Sequence, residues 1–194
     1  MTHAFTRLAS GLALGLAMTA PAPALAELDD NGLHVAPWVE ETFLDLREDL
    51  ADANANDQRL LILFEQRGCI YCRDMHENVF PREDIATMLD DAFFVVRLNL
   101  HGSLEVTDFD GEAMSERDIA RRWGILFTPT LMFLPEEVGP DQTAQQAAVA
   151  TMPGAFGGWT TFNMLTWVQE RGYEEDEGFQ RYHARMLEEM GVME

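Results

Sequence analysis

The chain has 194 residues, of which 47% are hydrophobic and 24% charged, and its formal net charge is −21. This composition is typical of a globular domain with a core and excludes a disordered or fibrous chain. Because so acidic a surface repels phosphates and anionic headgroups, it also excludes nucleic acid and anionic lipid as partners.

The first 26 residues have the pattern of a secretory signal peptide. Arg7 precedes an apolar stretch over about 8–20, and small residues lead up to Ala26. The stretch is shorter than the ~20 residues that a membrane-spanning helix needs, which disfavours an anchor. We expect cleavage after Ala26, leaving residues 27–194 as one domain exported to a bacterial periplasm, without membrane insertion.

The rest of the sequence alternates helical and strand patterns. The first half is expected to form a helix over 36–50, a strand over 59–66, a helix after the cysteines that Pro81 interrupts and that resumes over 82–92, and a strand over 93–100. The second half is expected to form a helix over 115–124 with a capping box at Ser115 and Asp118, strands over 125–134 and 147–152, and two C-terminal helices. Alternation of strands and helices predicts a partly parallel sheet, and the last two strands, joined by a short turn, should pair antiparallel. We therefore predict an α/β fold with a mixed four- to five-stranded sheet flanked by helices, plus an extra helix at the C-terminus.

The only two cysteines, Cys69 and Cys72, lie two residues apart between a predicted strand and a predicted helix. The start of a helix carries a partial positive charge and free N–H groups, and both stabilise a thiolate. In such a pair the first sulfur attacks a disulfide and the second resolves the mixed disulfide. The pattern indicates a redox-active pair, with Cys69 as nucleophile and Cys72 as resolving thiol.

Two other uses of the pair stay open. Together with His76, the cysteines could bind a metal ion, as in a metal-binding carrier, although a closed zinc site takes four ligands and usually draws on a second cysteine pair. A purely structural disulfide would close so short a loop that it would stabilise the fold little.

A proline lies in the third predicted strand, within “FTPT” at 127–130. Proline is poorly tolerated in a central strand because it has no N–H to donate. A cis bond between Thr128 and Pro129 would bring the Thr128 backbone to the sheet edge beside Cys69, where an extended substrate can pair with it. An ordinary trans proline at the start of a strand fits the same spacing.

These motifs carry a family resemblance. “GCIYCRDM”, followed further along by “WGILFTPTLMFL” and “MPGAF”, resembles the thioredoxin superfamily over about Trp38 to Arg171. Within that stretch, “FEQRGCIYCRDMH”, “LNLHGSLEVTDFDGE” and “TMPG” are similar to the SoxW-type periplasmic thioredoxins of bacterial sulfur oxidation.

The resemblance implies a thioredoxin fold with Cys69 as nucleophile, Cys72 as resolving thiol and cis-Pro129, beside Thr128, in the substrate groove. It further implies protein disulfide or thiol clients, a membrane electron-donor protein and no cofactor.

The sequence departs from ordinary thioredoxin near the cysteines. Ile70 and Tyr71 replace Gly-Pro, and Leu63 stands where thioredoxin keeps a buried aspartate. Glu65 would project from the same strand face as Leu63, nearer the sulfurs. It is therefore the best candidate to accept the proton of Cys72, although a plain strand-end carboxylate fits equally.

The direction of electron flow follows from the neighbours of the Cys69 sulfur. Ile70 offers it no polar hydrogen, and Glu65 adds negative potential that disfavours a further anion, so the modest helix dipole is left as the stabilising factor. A moderate thiolate goes with a stable disulfide and a reducing protein. We therefore predict a reductant of protein disulfides, with a net disulfide oxidant of the same fold as the alternative.

Overall fold

The computed structural model describes residues 27–192, so the predicted signal peptide over 1–26 lies outside the described residues. The strands are β1 Val39–Glu40, β2 Arg59–Glu65, β3 Phe93–Asn99, β4 Glu105–Thr107, β5 Ala113–Ser115, β6 Thr130–Phe133 and β7 Ala150–Pro153. The helices are α1 Leu46–Ala55, α2 Ile70–Asp74, α3 Glu83–Asp91, α4 Glu116–Arg122, α5 Ala144–Ala147, α6 Gly158–Gln169 and α7 Phe179–Glu189. A π-helical turn, Met75–Val79, continues α2, and a short 3-10 turn, Gly172–Glu174, lies between α6 and α7.

The central sheet has five strands in the order β1-β3-β2-β6-β7. Strands β1, β3 and β2 are parallel to one another, whereas β6 and β7 run antiparallel to their neighbours. The predicted mixed sheet and its antiparallel final pair are confirmed. The separate β4–β5 hairpin, which lies within the long loop after β3, was not predicted.

Both faces of the sheet are covered, which explains why β2 is an uninterrupted apolar run. Leu61 and Leu63 point into a core shared with α3 and α6. Leu60, Ile62 and Phe64 point into a second core on the opposite face, shared with α1 and α4. The strand that leads to the cysteines is therefore fixed from both sides.

The first helix was predicted wrongly. It was expected over 36–50 but begins at Leu46, after β1 and residues 41–45, which are not helical. The cause is the cap: the Asp45 side chain accepts hydrogen bonds from the backbone N–H groups of Arg47 and Glu48, and this satisfies donors that a helix start leaves free. Phe43, which the spacing placed on the helical face, is 96% exposed.

The third strand of the prediction is also shorter than expected, since β6 begins at Thr130 and not at residue 125. Residues 125–129 instead form the loop that leads into β6. This loop contains Pro129, which has no N–H to donate to a neighbouring strand.

The C-terminal helix α7 packs on α6 through the buried Tyr182 and a contact of 2.8 Å between Asn163 Nδ2 and His183 Nδ1. Within residues 27–192, no helix combines the length and the apolarity needed to cross a bilayer.

Candidate active site

A strand, a tight turn and a helix position the cysteine pair. β2 ends at Glu65, and Gly68 has φ +72°, a backbone conformation that favours glycine. Cys69 then caps α2, because its sulfur accepts the backbone N–H of Cys72 at 3.0 Å. The two cysteines form a disulfide in which Cys72 is completely buried, whereas Cys69 retains some exposed surface.

Thr128 contacts the sulfur of Cys69 from the loop before β6. Its hydroxyl lies 3.3 Å from Cys69 Sγ and its carbonyl oxygen 3.5 Å. The Thr128–Pro129 peptide bond is cis, as the sequence predicts. The expectation that the helix dipole alone stabilises a Cys69 thiolate was incomplete, since the Thr128 hydroxyl and the Cys72 N–H both lie within hydrogen-bonding distance of the sulfur.

Exposed apolar side chains surround this corner of the molecule. Ile70, Tyr71, Leu126 and Phe127 are all at least 60% exposed. A groove of about 460 Å³ runs beside the pair, lined among others by Tyr71, Phe127, Thr128 and Phe156. An extended apolar peptide segment placed there would lie next to Thr128, which itself touches Cys69.

Glu65 lies fully buried at the end of β2, where two imidazoles approach one of its oxygens. His76 Nε2 is 2.9 Å and His34 Nδ1 3.3 Å from Glu65 Oε1. Burial alone would raise the pKa of this carboxyl, but the hydrogen bonds and charges of the two histidines outweigh it and lower the pKa to about 2. Oε2 has no hydrogen-bond partner among the described residues. Proton acceptance by Glu65 stays a prediction, and the structure shows that two imidazoles contact this carboxylate.

His76 therefore joins Glu65 and His34, whereas the metal alternative grouped it with the cysteines. Its ring stacks against that of His34, with centroids 4.5 Å apart, and against Trp38 at 5.8 Å. Among the described residues, His34, Glu65 and His76 are also the only such set of His, Cys, Asp and Glu whose donor atoms, all within 4.8 Å of one another, could share an ion.

Sequence reasoning missed His34 and Trp38. His34 is 31 residues from Glu65 in sequence, and no spacing rule connects them. Their contact depends on how the segment before β1 folds back: Leu28 and His34 form a bridge with each other, and Arg97 of β3 donates to the His34 carbonyl.

Comparisons with known proteins identify the family. The sequence model of a family described as a thioredoxin-like domain matches residues 46–143. No match appears among curated proteins.

Solved structures that match this chain include the following three. A thioredoxin from Thermus thermophilus is 22% identical, with a TM-score of 0.51, covering 66% of this chain and 86% of its own. A thioredoxin-fold protein from Helicobacter pylori is 16% identical, with a TM-score of 0.49 and coverages of 67% and 80%. The C-terminal domain of DsbD from Neisseria meningitidis, in its oxidised form, is 12% identical, with a TM-score of 0.41 and coverages of 64% and 90%. The Thermus structure has the same fold as the five-stranded sheet and its flanking helices.

Proposed function

Because the chain belongs to the family of thioredoxin-like domains and carries a C-x-x-C pair that makes it a thiol–disulfide oxidoreductase, we propose that it reduces protein disulfides in the bacterial periplasm. The pattern of the first 26 residues supports the compartment. The exposed apolar rim around Cys69 and the groove beside Thr128 suit an extended segment of a client protein.

The two cysteines carry the electrons of the exchange, and Glu65 is the predicted acceptor of the Cys72 proton. The Cys69 thiolate attacks one sulfur of the client disulfide, forms a mixed disulfide and releases the other client sulfur as a thiolate. Cys72 then loses its proton and attacks the Cys69 sulfur, which closes the Cys69–Cys72 disulfide and releases the second client thiolate. Two electrons pass from the cysteine pair to the client.

The observation that carries the reducing direction is the fully buried Glu65 at the end of β2, four residues before Cys69. A buried carboxylate with a pKa of about 2 is an anion at every physiological pH. It disfavours a second anion nearby, so the thiolate form of the pair is held back and the disulfide is comparatively stable. A pair of this kind passes electrons to clients.

A net oxidant is the second candidate, and one observation favours it. The Thr128 hydroxyl and the Cys72 N–H both reach the Cys69 sulfur, and hydrogen bonds to a thiolate stabilise the reduced form. Equilibration against glutathione separates the two directions. A potential near the ~−270 mV of thioredoxin supports the reductant, and one near the ~−120 mV of strong oxidants contradicts it.

A reductant in an oxidising compartment must be recharged, so we further propose a membrane electron-donor protein and, from the SoxW-type resemblance, a client in sulfur oxidation. Cys72→Ser should trap both as mixed disulfides through Cys69, because the resolving thiol is gone. Cys69→Ser is the matched control and should trap neither. Mixed disulfides of equal yield in the two variants would contradict Cys69 as the nucleophile.

A metal-binding carrier using Cys69, Cys72 and His76 is the remaining alternative, and the hydrogen bond from His76 to Glu65 speaks against it. Zinc and copper assays on the reduced protein test it. Stoichiometric metal that survives dialysis, together with no reduction of insulin disulfides, would establish the carrier.

A further inference from the structure

A second cavity lies next to the groove beside the cysteine pair, on the other side of Phe127. Its volume is about 390 Å³, within the range of ~300–1,000 Å³ that small-molecule pockets have. Two cross-strand pairs of β6 and β7 contribute to its lining because paired residues share one face of the sheet: Met132 with Thr151, and Thr130 with Pro153. The loop that leads into β6 and the end of α5 contribute the walls.

The lining of this second cavity is uncharged. Among the described residues that line it, none is acidic or basic, although the chain has 34 acidic and 13 basic residues. The hydroxyl of Thr130 is already engaged, since it donates to the Phe127 carbonyl at 2.8 Å. A charged side chain placed here would lose its hydration without gaining a partner, and this cost does not apply to an apolar side chain. The second cavity therefore suits an apolar side chain.

We propose that the second cavity is a client subsite, which binds a large apolar side chain two to four residues from the client cysteine that Cys69 attacks. This inference rests on the proposed exchange with protein clients and names the class of client segment. It goes beyond the groove beside Thr128, which receives the part of the client next to its cysteine.

The loop between the groove and the second cavity is held by its own hydrogen bonds. Gly124, with φ +69°, follows the end of α4, and the N–H of Ile125 donates to the Ala120 carbonyl at 2.8 Å. A glycine cap of this kind fixes the direction in which the chain leaves a helix. At the other end of the loop, the Thr130 hydroxyl holds the Phe127 carbonyl. The second cavity is therefore formed without a client.

A client segment bound at Cys69 can reach the second cavity. Phe127 lines both the groove and the second cavity, and the hydroxyl of the next residue, Thr128, lies 3.3 Å from the Cys69 sulfur. An extended segment advances about 3.3 Å per residue, so a side chain two to four residues from the client cysteine is about 7–13 Å away. The loop from Thr128 back to Ile125 spans at most about 11 Å, which lies within this reach.

The occupant of the second cavity must be able to leave. Leu126 and Phe127 are 77% and 62% exposed, and they belong with Ile70 and Tyr71 to the apolar rim near the disulfide. A second copy of the chain held permanently on this rim would cover the sulfur that clients must reach. A client segment is released when the second cysteine resolves the mixed disulfide. A client therefore fits the second cavity better than a permanent partner does.

Peptides with one activated cysteine test the subsite. Each uncharged peptide of glycine and serine carries its cysteine as a mixed disulfide with thionitrobenzoate, and one phenylalanine is moved from four residues before the cysteine to four after it. The Cys69 thiolate of the reduced protein attacks the peptide sulfur, and coloured thionitrobenzoate leaves as the thiolate. Stopped flow gives the second-order rate constant, and its ratio to that of the peptide without phenylalanine measures the preference.

We expect phenylalanine two to four residues away, on one side of the cysteine, to raise the rate constant about tenfold. Thr151→Arg places a charge at the exposed edge of the second cavity and should reduce this ratio to about 1. Thr151→Val removes only the hydroxyl, retains the size and should keep the ratio. Thr87→Arg is the matched control and should also keep it, because Thr87 is an exposed threonine of α3, which covers the opposite face of the sheet.

Three results would overturn the proposal: a rate constant that is the same for every phenylalanine position; a preference that survives in Thr151→Arg; or a reduced protein that sediments as a dimer when wild type and as a monomer when Thr151→Arg, because the second cavity then belongs to a contact between copies. Failure of the proposed function looks different. A potential near that of strong oxidants would refute the reducing direction and leave the preference for one phenylalanine position in place.

Discussion

Two fully buried carboxylates sit on opposite sides of the central sheet and are held in different ways. Asp108, in the β4–β5 hairpin, accepts hydrogen bonds at both oxygens: Oδ1 from two backbone N–H groups, and Oδ2 from Trp123 Nε1 and Arg122 Nη1. Glu65 accepts at Oε1 only, from His34 and His76, and its Oε2 is unpartnered among the described residues.

The difference lies in the donors. Backbone amides, an indole and a guanidinium keep their hydrogens at every physiological pH, so Asp108 keeps its donors and holds the hairpin to α4 and α5. The donors to Glu65 are two side-chain imidazoles, and its second oxygen has no donor among the described residues. A carboxylate with donors at both oxygens serves structure, whereas Glu65, with donors at one oxygen and at the end of the strand that leads to the cysteine pair, is the predicted proton acceptor.

The largest expected effect is on the stability of the fold, when the structural carboxylate Asp108 is replaced. Asp108→Asn replaces one acceptor oxygen by an NH₂ group, which leaves the buried N–H of Trp123 and the Arg122 guanidinium facing a donor. We expect the free energy of unfolding to fall by about 3–5 kcal/mol, measured by urea denaturation at pH 7.

Asp110→Asn is the matched control, because Asp110 pairs with the same arginine near the surface. It should cost about 1 kcal/mol or less. The folded fraction of Asp108→Asn should keep the wild-type pH profile of disulfide reduction. A changed profile would contradict the division between a structural and a chemical carboxylate.

The second prediction concerns acid stability and Glu65. Its pKa in the folded protein, about 2, is below the ordinary 4.5. The stabilisation of the folded state by ionised Glu65 is therefore complete above pH 4.5 and is lost as the pH falls through about 2. Over this range wild type should lose on the order of 3 kcal/mol that Glu65→Gln does not lose. Urea midpoints measured from pH 7 to pH 2.5 test this.

Glu116→Gln provides a control of opposite sign. Burial raises the pKa of Glu116, although hydrogen bonds from the N–H groups of Asn99 and Leu104 oppose it. Glu116 therefore costs the folded state stability above its raised pKa, and this cost disappears on acidification. Parallel pH curves for wild type and Glu65→Gln would show that the imidazoles do not hold Glu65 ionised.

How much of this could be predicted from the sequence depends on the range of the interactions. The central strands, the cysteine pair and the cis proline are marked by local patterns: an apolar run, a C-x-x-C spacing and a proline within a strand. The start of α1 was misplaced because a single capping residue, Asp45, outweighed the apolar spacing before it.

The contacts that surround the cysteines are of longer range. The Thr128 hydroxyl reaches Cys69 across 59 residues, and His34 reaches Glu65 across 31. Such pairs are formed by strand order and by the path of a loop, which a single sequence does not encode in any spacing. Glu65 could be named as a candidate from the sequence because it lies on the strand that leads to the cysteines.

The smallest expected effect concerns a buried carboxylate without cationic or imidazole partners, and it tests whether such a group only lowers the stability of the fold. Asp49 in α1 is 3% exposed, and its Oδ2 has no partner among the described residues. Burial raises its pKa to about 6, repulsion from Asp45, Asp52 and Glu48 adds to this, and a hydrogen bond with Thr42 opposes it. Because the folded-state pKa lies above the ordinary 3.8, stability falls as the pH rises from about 4 through 6.

Asp49→Asn should remove that fall and raise the free energy of unfolding at pH 7 by about 1–2 kcal/mol, since solvent screening reduces the full linkage energy. At pH 4 the variant and wild type should be nearly equal, because Asp49 is then protonated in the folded protein. Asp52→Asn, an exposed acid of the same helix, is the control and should change stability by about 0.5 kcal/mol or less. If Asp49→Asn is less stable than wild type at pH 7, then Asp49 belongs with Asp108 among the carboxylates that the fold requires, and low partner number alone does not distinguish Glu65.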